Sequence, residues 1–102
     1  MSAKIQTVGS DKMYDFRRKG NIIEFVEAHI WYGKPDDLLS LVEFLSDLSG
    51  IKNFNVDIIT GIVNLNIRDE QLVINPDDWV VKHKDRIAAY NSTVFKLRYE
   101  RF

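Results

Sequence analysis

Residues 22–50 read IIEFVEAHIWYGKPDDLLSLVEFLSDLSG and predict a long strand followed directly by the main helix. Over 22–32, the even-numbered positions are mostly apolar and rich in β-branched side chains. This period of two predicts a strand whose even face points inward. The odd-numbered positions include Phe25 and Trp31, so we expect that face to be partly covered as well.

The segment 33–50 indicates where this strand ends and the helix begins. Gly33-Lys34-Pro35-Asp36-Asp37 is typical of a helix start, because proline presets φ and aspartate accepts hydrogen bonds from unpaired N–H groups. Apolar residues then recur at helical spacing, namely Leu38, Leu41, Val42, Leu45 and Leu48. Gly50 followed by Ile51 predicts a glycine C-cap.

The remainder of the chain is predicted to be rich in strands. Alternation over 54–58 and 63–67 predicts two of them, and turn signals at 68–71, 75–77 and 85–86 separate three more. Asn91 or Ser92 can cap a short last helix, in which Phe95 and Tyr99 lie one turn apart. The predicted class is α+β: a small antiparallel sheet of about five to six strands packed by one main amphipathic helix, in the order β-α-β-β-β-β-β-α.

The predicted domain organisation is simple. Residues 1–14 are polar and aperiodic and are expected to form a mobile N-terminal arm, and 15–102 form one α+β domain. The start of the chain lacks the apolar core of a secretory signal, and no apolar run approaches the roughly 20 residues of a membrane span. We therefore expect a cytoplasmic protein with no membrane partner.

The composition argues against most catalytic chemistry. The 102 residues contain no cysteine and two histidines, which excludes disulfides, cysteine-based zinc sites and cysteine nucleophiles. Neither a glycine-rich phosphate loop nor an H-E-x-x-H pattern occurs. We therefore predict a protein that is not an enzyme and has no cofactor, metal site or catalytic residue. A small-ligand binder or enzyme built on Glu27, His29 and Asp78 is the least favoured alternative.

Charge is distributed unevenly along a chain whose net charge is −1. Residues 20–80 contain eleven acids and three bases, and both ends are basic. A protein partner is predicted to contact either of two faces. One is the acidic helix face with Asp36, Asp37, Glu43 and Asp47, and the other is an exposed strand face around His29 and Trp31. The alternative is a solvated helix face whose first acids are favoured by the helix dipole.

The basic residues define a second hypothesis, nucleic-acid binding. They form two groups, comprising Arg17, Arg18 and Lys19 in the first and Lys82, Lys84 and Arg86 in the second. Affinity for phosphates grows with the number of cations presented together. Alternating lysines also occur on solvated edge strands that resist aggregation, so the two interpretations compete.

Two segments resemble a large group of small, mostly uncharacterised bacteriophage and prophage proteins. Their pattern is R-K-K-P, a hydrophobic residue and E-A-x-x-W-x-G, then a helix, then P-G-D-W/Y-I/V-x-K and F-x-x-x-Y-E. The matching segments are FRRKGNIIEFVEAHIWYG at 16–33, NPDDWVVK at 75–82 and VFKLRYE at 94–100. In such proteins the aromatic of the second motif packs inward, which assigns structural roles to Pro76, Asp78, Trp79, Phe95 and Tyr99. Asp77 replaces the usual glycine and is expected in the left-handed region.

The resemblance implies a small accessory protein that binds a host protein of defence, replication or transcription. It brings no catalytic residue with it. Since exposed strand edges can pair across a two-fold axis, the oligomeric state is left open between monomer and homodimer.

Overall fold

The computed structural model describes residues 14–20 and 25–101. Eight strands and two helices are found there, and the predicted α+β class is confirmed. In chain order they are β1 (Tyr14–Arg18), β2 (Phe25–Trp31), a 3-10 turn (Pro35–Asp37), α1 (Leu38–Leu45), β3 (Ile51–Val56), β4 (Val63–Ile67), β5 (Glu70–Ile74), β6 (Asp78–His83), β7 (Arg86–Tyr90), α2 (Ser92–Arg98) and β8 (Tyr99–Arg101). From β2 to α2 this order matches the prediction, and β1 and β8 are additional.

The strands form two antiparallel sheets, whereas the pattern predicted one. The larger sheet has the order β7-β6-β2-β1-β8 and the smaller one the order β3-β4-β5. The long strand β2 lies in the middle of the larger sheet, with His29 opposite Val80 of β6 and Val26 opposite Phe16 of β1. The predicted N-terminal arm lies outside the described residues except for Tyr14, which pairs with Ala28.

The two faces of the larger sheet are covered by different elements. The odd-numbered face of β2 packs with α1 and the smaller sheet in the main core, which includes Trp31, Leu41, Phe44, Leu65 and Val80. On the opposite face α2 covers a second, aromatic core. There the Trp79 and Phe95 rings stack at 4.4 Å between centroids, and Phe16 meets Trp79 edge-on at 5.6 Å.

Helix α1 is shorter than predicted. It ends at Leu45, and Ser46, whose N–H bonds to the Glu43 carbonyl, is its C-cap. The predicted glycine cap is therefore wrong: Gly50 lies beyond the helix, and its carbonyl accepts a hydrogen bond from Arg68 N–H. No side-chain cap bond forms at Asp37, because the preceding 3-10 turn already supplies part of the first turn. Across the described residues no helix is both long and apolar enough to cross a membrane.

Two local predictions are confirmed by the structure and one is wrong. Asp77 adopts φ +69°, in the left-handed region as expected. The Asn91 side chain caps α2 by accepting from Val94 N–H at 2.9 Å. Tyr99, however, leaves the helix and begins β8, although its ring still stacks on Phe95 at 5.4 Å.

Candidate functional site

The loop between β3 and β4 presents two isoleucines to solvent. Ile58 is 75% exposed and Ile59 is 95% exposed. Single exposed apolar residues are common on protein surfaces, but contiguous exposed apolar patches are typical of contact sites. The alternation over 54–58 predicted Ile58 to be a strand residue. That prediction is wrong because β3 ends at Val56.

Hydrogen bonds within the loop hold its shape. The Asp57 carboxylate accepts from the N–H groups of Ile59 at 2.9 Å and Thr60 at 3.2 Å. The Asp57 backbone N–H donates to the Ile62 carbonyl at 2.9 Å, and its carbonyl accepts from Gly61 N–H at 2.7 Å. This is an aspartate-centred turn, and it fixes the direction in which both isoleucines point.

The same bonds change the acidity of Asp57. Hydrogen bonds from the backbone N–H groups of Thr60 and Ile59 lower the pKa of this carboxyl below its ordinary value of 3.8. The charged form is therefore favoured in the folded loop. The stability that the charged Asp57 carboxylate gives to the folded loop is complete above the ordinary pKa. It is lost as the pH falls through the lowered pKa.

Asp57→Ala is expected to loosen the loop without unfolding the domain. It removes the acceptor for two backbone N–H groups, so amide hydrogen exchange at Ile59 and Thr60 should accelerate. Asp57→Asn keeps one side-chain oxygen acceptor, so much of the protection should return, now without pH dependence near the carboxyl pKa. Exchange rates at both amides equal to wild type in Asp57→Ala would show that the carboxylate does not organise the loop.

The loop is also attached to the main core. Trp31 is only 1% exposed, and its Nε1–H donates to the Gly61 carbonyl at 2.7 Å. Gly61 has φ +77°, and a Cβ there would lie 2.8 Å from the Gly33 carbonyl oxygen. Only glycine fits this position, because the base of the loop packs directly against the backbone that follows β2.

Two shallow grooves lie along the contact of α1 with β3, which we call the α1–β3 seam. The first, about 250 Å³, separates the loop from the 3-10 turn and is lined by Trp31, Gly33, Lys34, Pro35, Leu38, Val56, Asp57 and Ile58. The second, about 230 Å³, is lined by Val42, Leu45, Ser46, Leu48, Ile51 and Phe54. Val42 and Phe54 are partly exposed, so the second groove also presents apolar side chains to solvent.

The predicted protein-contact face is only partly present. The acidic residues Asp36, Glu43 and Asp47 are exposed and Asp37 is half-buried. Trp31, expected on an exposed strand face, is buried instead, because it fills the space between the larger sheet, α1 and the smaller sheet. His29 is half-buried with its ring stacked on Phe44 at 5.4 Å between centroids.

Lys82 is the clearest departure from the predicted nucleic-acid surface. It is 5% exposed and lies on β6, an interior strand, so neither phosphate binding nor an edge-strand role fits. Its ammonium donates to the Phe44 carbonyl at 2.6 Å and the Asp47 carboxylate at 2.8 Å, and lies 3.3 Å from Glu27. Lys82 therefore binds the last turn of α1 to the larger sheet.

The other predicted basic residues separate into different environments. Arg17 pairs with Glu100 at 2.6 Å, and Lys19 and Lys84 are exposed. Arg18 and Arg86 line a single cleft of about 590 Å³, together with Arg68 and Arg98, which the sequence did not single out. Those four arginines come from distant positions in the chain, so no local motif predicted their proximity.

Two of the three residues of the alternative chemical site already have bonding partners in the structure. Glu27, His29 and Asp78 lie on one face of the larger sheet by register. The Glu27 carboxylate forms an ion pair with the Lys82 ammonium, and the Asp78 carboxylate accepts a hydrogen bond from Asn75 N–H at 2.9 Å. Within the described ranges, 14–20 and 25–101, no three His, Asp or Glu residues are grouped to hold a metal ion.

Comparisons with known proteins found no relative of the chain. No protein-family model matches the chain, and neither a curated protein nor a solved structure matches it. What the surface binds must therefore be inferred from its exposure, contacts and charges.

Proposed function

We propose that the chain is a protein-binding module that acts through the loop 57–62 and the adjoining α1–β3 seam. The observation that carries this proposal is the exposure of Ile58 and Ile59 on a loop fixed by its own hydrogen bonds and by Trp31. Together with the resemblance to phage and prophage proteins, it supports a small, non-enzymatic accessory protein that binds a host protein in the cytoplasm and inhibits or redirects it.

A stiff loop favours this role on energetic grounds. Burying an isoleucine side chain in a partner's pocket contributes about 1.5–3 kcal/mol. Binding also costs free energy for every side chain and loop that becomes ordered. The loop is held in place before binding by bonds within it and to Trp31, so little of that cost remains.

The charges beside the loop indicate the partner's chemistry. Asp57 and Lys34 line the first groove. Asp36 and Asp37 add two acids in the 3-10 turn, next to the lining residue Pro35. We therefore propose a protein surface with an apolar pocket flanked by lysine or arginine. Strand addition at β3 is disfavoured, because a bulge between Lys52 and Asn55 interrupts its pairing. The acids also disfavour an anionic lipid surface.

Quantitative affinity purification from host cells tests this function. The serine substitutions Ile58→Ser and Ile59→Ser, made together, should remove the partner that the wild-type protein captures, because they remove the apolar anchors and leave the loop hydrogen bonds intact. Leu97→Ser is the matched control, since Leu97 is also exposed, at 71%, but lies on α2. It should retain the partner.

Three outcomes would contradict the proposal. In the first, the double variant captures the same partner as the wild type in equal amount. In the second, Leu97→Ser loses the partner as completely as the double variant does. In the third, the loop binds lipid vesicles and captures no protein. Light scattering of the purified chain gives a further check. If the loop only joins two copies of this protein, the double variant will convert a dimer to a monomer without changing any host partner.

A further inference from the structure

A basic cleft lies at a different place on the molecule from the loop 57–62. Its ionisable lining consists of four arginines, two acids and one histidine: Arg18, Arg68, Arg86, Arg98, Glu70, Asp85 and His83. They come from β1, the β4–β5 turn and the start of β5, the β6–β7 hairpin and the end of α2. The fold therefore gathers an excess of positive charge that no single segment of the sequence shows.

The arginines of this cleft differ in the contacts that they already make within the protein. Arg68 donates to two backbone carbonyls, those of Ser49 and Asp85, and so joins the β4–β5 turn to the β6–β7 hairpin. The Arg98 guanidinium lies over the Tyr90 ring at 5.0 Å from its centroid. In the part of the chain that the structure describes, neither Arg86 nor Arg98 forms an ion pair with a carboxylate.

The Arg98 guanidinium lies over the Tyr90 ring and has no carboxylate partner among the described residues, so its N–H groups can serve a ligand. A guanidinium that stacks on a ring keeps its N–H groups in the plane, where they can bind two oxygens of one phosphate. Arg68 is held by carbonyl oxygens that do not neutralise its charge. The site therefore combines fixed positive charge with guanidinium groups that can reorient toward an anion.

The dimensions of the cleft restrict the ligand. Its volume of about 590 Å³ lies within the range of roughly 300–1,000 Å³ typical of small-molecule sites. Glu70 and Asp85 also line it, and they would repel a long polyanion running across the surface. A compact anion with two or more charges can contact the arginines while meeting fewer of the other lining groups than a long polyanion would.

We propose that this cleft binds a small molecule carrying a diphosphate group, such as a nucleoside diphosphate, with Arg86 and Arg98 as its principal ligands and Arg18 and Arg68 adding charge. This proposal is independent of the protein-binding function. The loop 57–62 supplies no residue to the cleft, so either proposal can fail without the other.

Isothermal titration of the full chain tests the site, with inorganic pyrophosphate and ADP as the probes. Each is expected to bind at one site, and Arg86→Gln with Arg98→Gln should weaken both by about tenfold or more, because two charge-assisted contacts are lost. Lys52→Gln is the matched control: it removes the same charge from exposed Lys52 on β3. Its affinity should remain within about twofold of wild type.

Thermal unfolding without ligand shows whether the arginine variants are folded, and each single variant replaces the double one if it is not. Absence of binding of either probe at low salt would overturn the proposal. Equal weakening by Lys52→Gln would also overturn it, by showing a nonspecific charge effect. Tighter binding of a single-stranded oligonucleotide of about twelve nucleotides, with a steep salt dependence, would identify a nucleic-acid surface instead.

Discussion

Trp31→Ala is expected to lower the free energy of unfolding by about 3–5 kcal/mol, the cost of truncating a large aromatic side chain in a core. Trp31 is 1% exposed and contacts the main core between the larger sheet, α1 and the smaller sheet. Its loss would leave a cavity at the junction of all three. For a domain of this size such a loss is a large fraction of a total stability of about 5–15 kcal/mol, so the variant should unfold at much lower urea concentrations.

Trp31→Phe separates the packing of this residue from its hydrogen bond. Phenylalanine fills part of the space but has no donor for the Gly61 carbonyl, which Trp31 Nε1–H contacts at 2.7 Å. Hydrogen exchange should therefore accelerate in the loop 57–62 more than elsewhere. Trp79→Phe is the control, because Trp79 packs in the second core against Phe16 and Phe95. Equal loop protection in both variants would contradict the anchoring role of Trp31.

Lys82→Met is expected to destabilise the fold by about 2–3 kcal/mol. Methionine keeps most of the side-chain volume but cannot donate to the Phe44 carbonyl or the Asp47 carboxylate, which Lys82 contacts at 2.6 and 2.8 Å. The Phe44 carbonyl belongs to the last turn of α1, where helix carbonyls lack intrahelical partners. A positive charge there also complements the helix dipole.

Lys84→Met is the matched control for Lys82→Met. Lys84 is two residues away and exposed, so its substitution should change the free energy of unfolding by less than about 0.5 kcal/mol. Urea denaturation followed by circular dichroism measures both variants. If Lys82→Met is as stable as the wild type, the cost of burying the ammonium offsets its contacts, and Lys82 does not stabilise the attachment of α1.

The sequence predicted those parts of the fold that depend on neighbouring residues. The alternation of Val63, Leu65 and Ile67 identified a strand with one buried face, and Asp77 was placed correctly in the left-handed region. Strands β1 and β8 were missed for two reasons. Both are short, and they pair with each other although they lie near opposite ends of the chain. Arg17, for example, lies opposite Glu100. The second sheet was missed because alternation indicates strands but not their partners.

The candidate sites were harder to predict for the same reason. Lys82 was assigned to an exposed basic group, since nothing near it in the sequence indicates Phe44 and Asp47, which lie more than thirty residues earlier. The four arginines of the cleft come from four separate segments. The isoleucine loop did leave a local signal: two isoleucines directly before Thr60-Gly61 place apolar residues at a turn.

Photo-crosslinking in host cells tests most directly whether the loop 57–62 binds a protein. A photoreactive phenylalanine analogue placed at position 59 should crosslink to one host protein, because this side chain is the most exposed apolar residue of the loop. The same analogue at position 97, on α2, should not crosslink to that protein. Crosslinking of one host protein from position 59 alone is the predicted result. No crosslink from position 59, or the same products from both positions, would contradict the proposal that the loop is the binding surface.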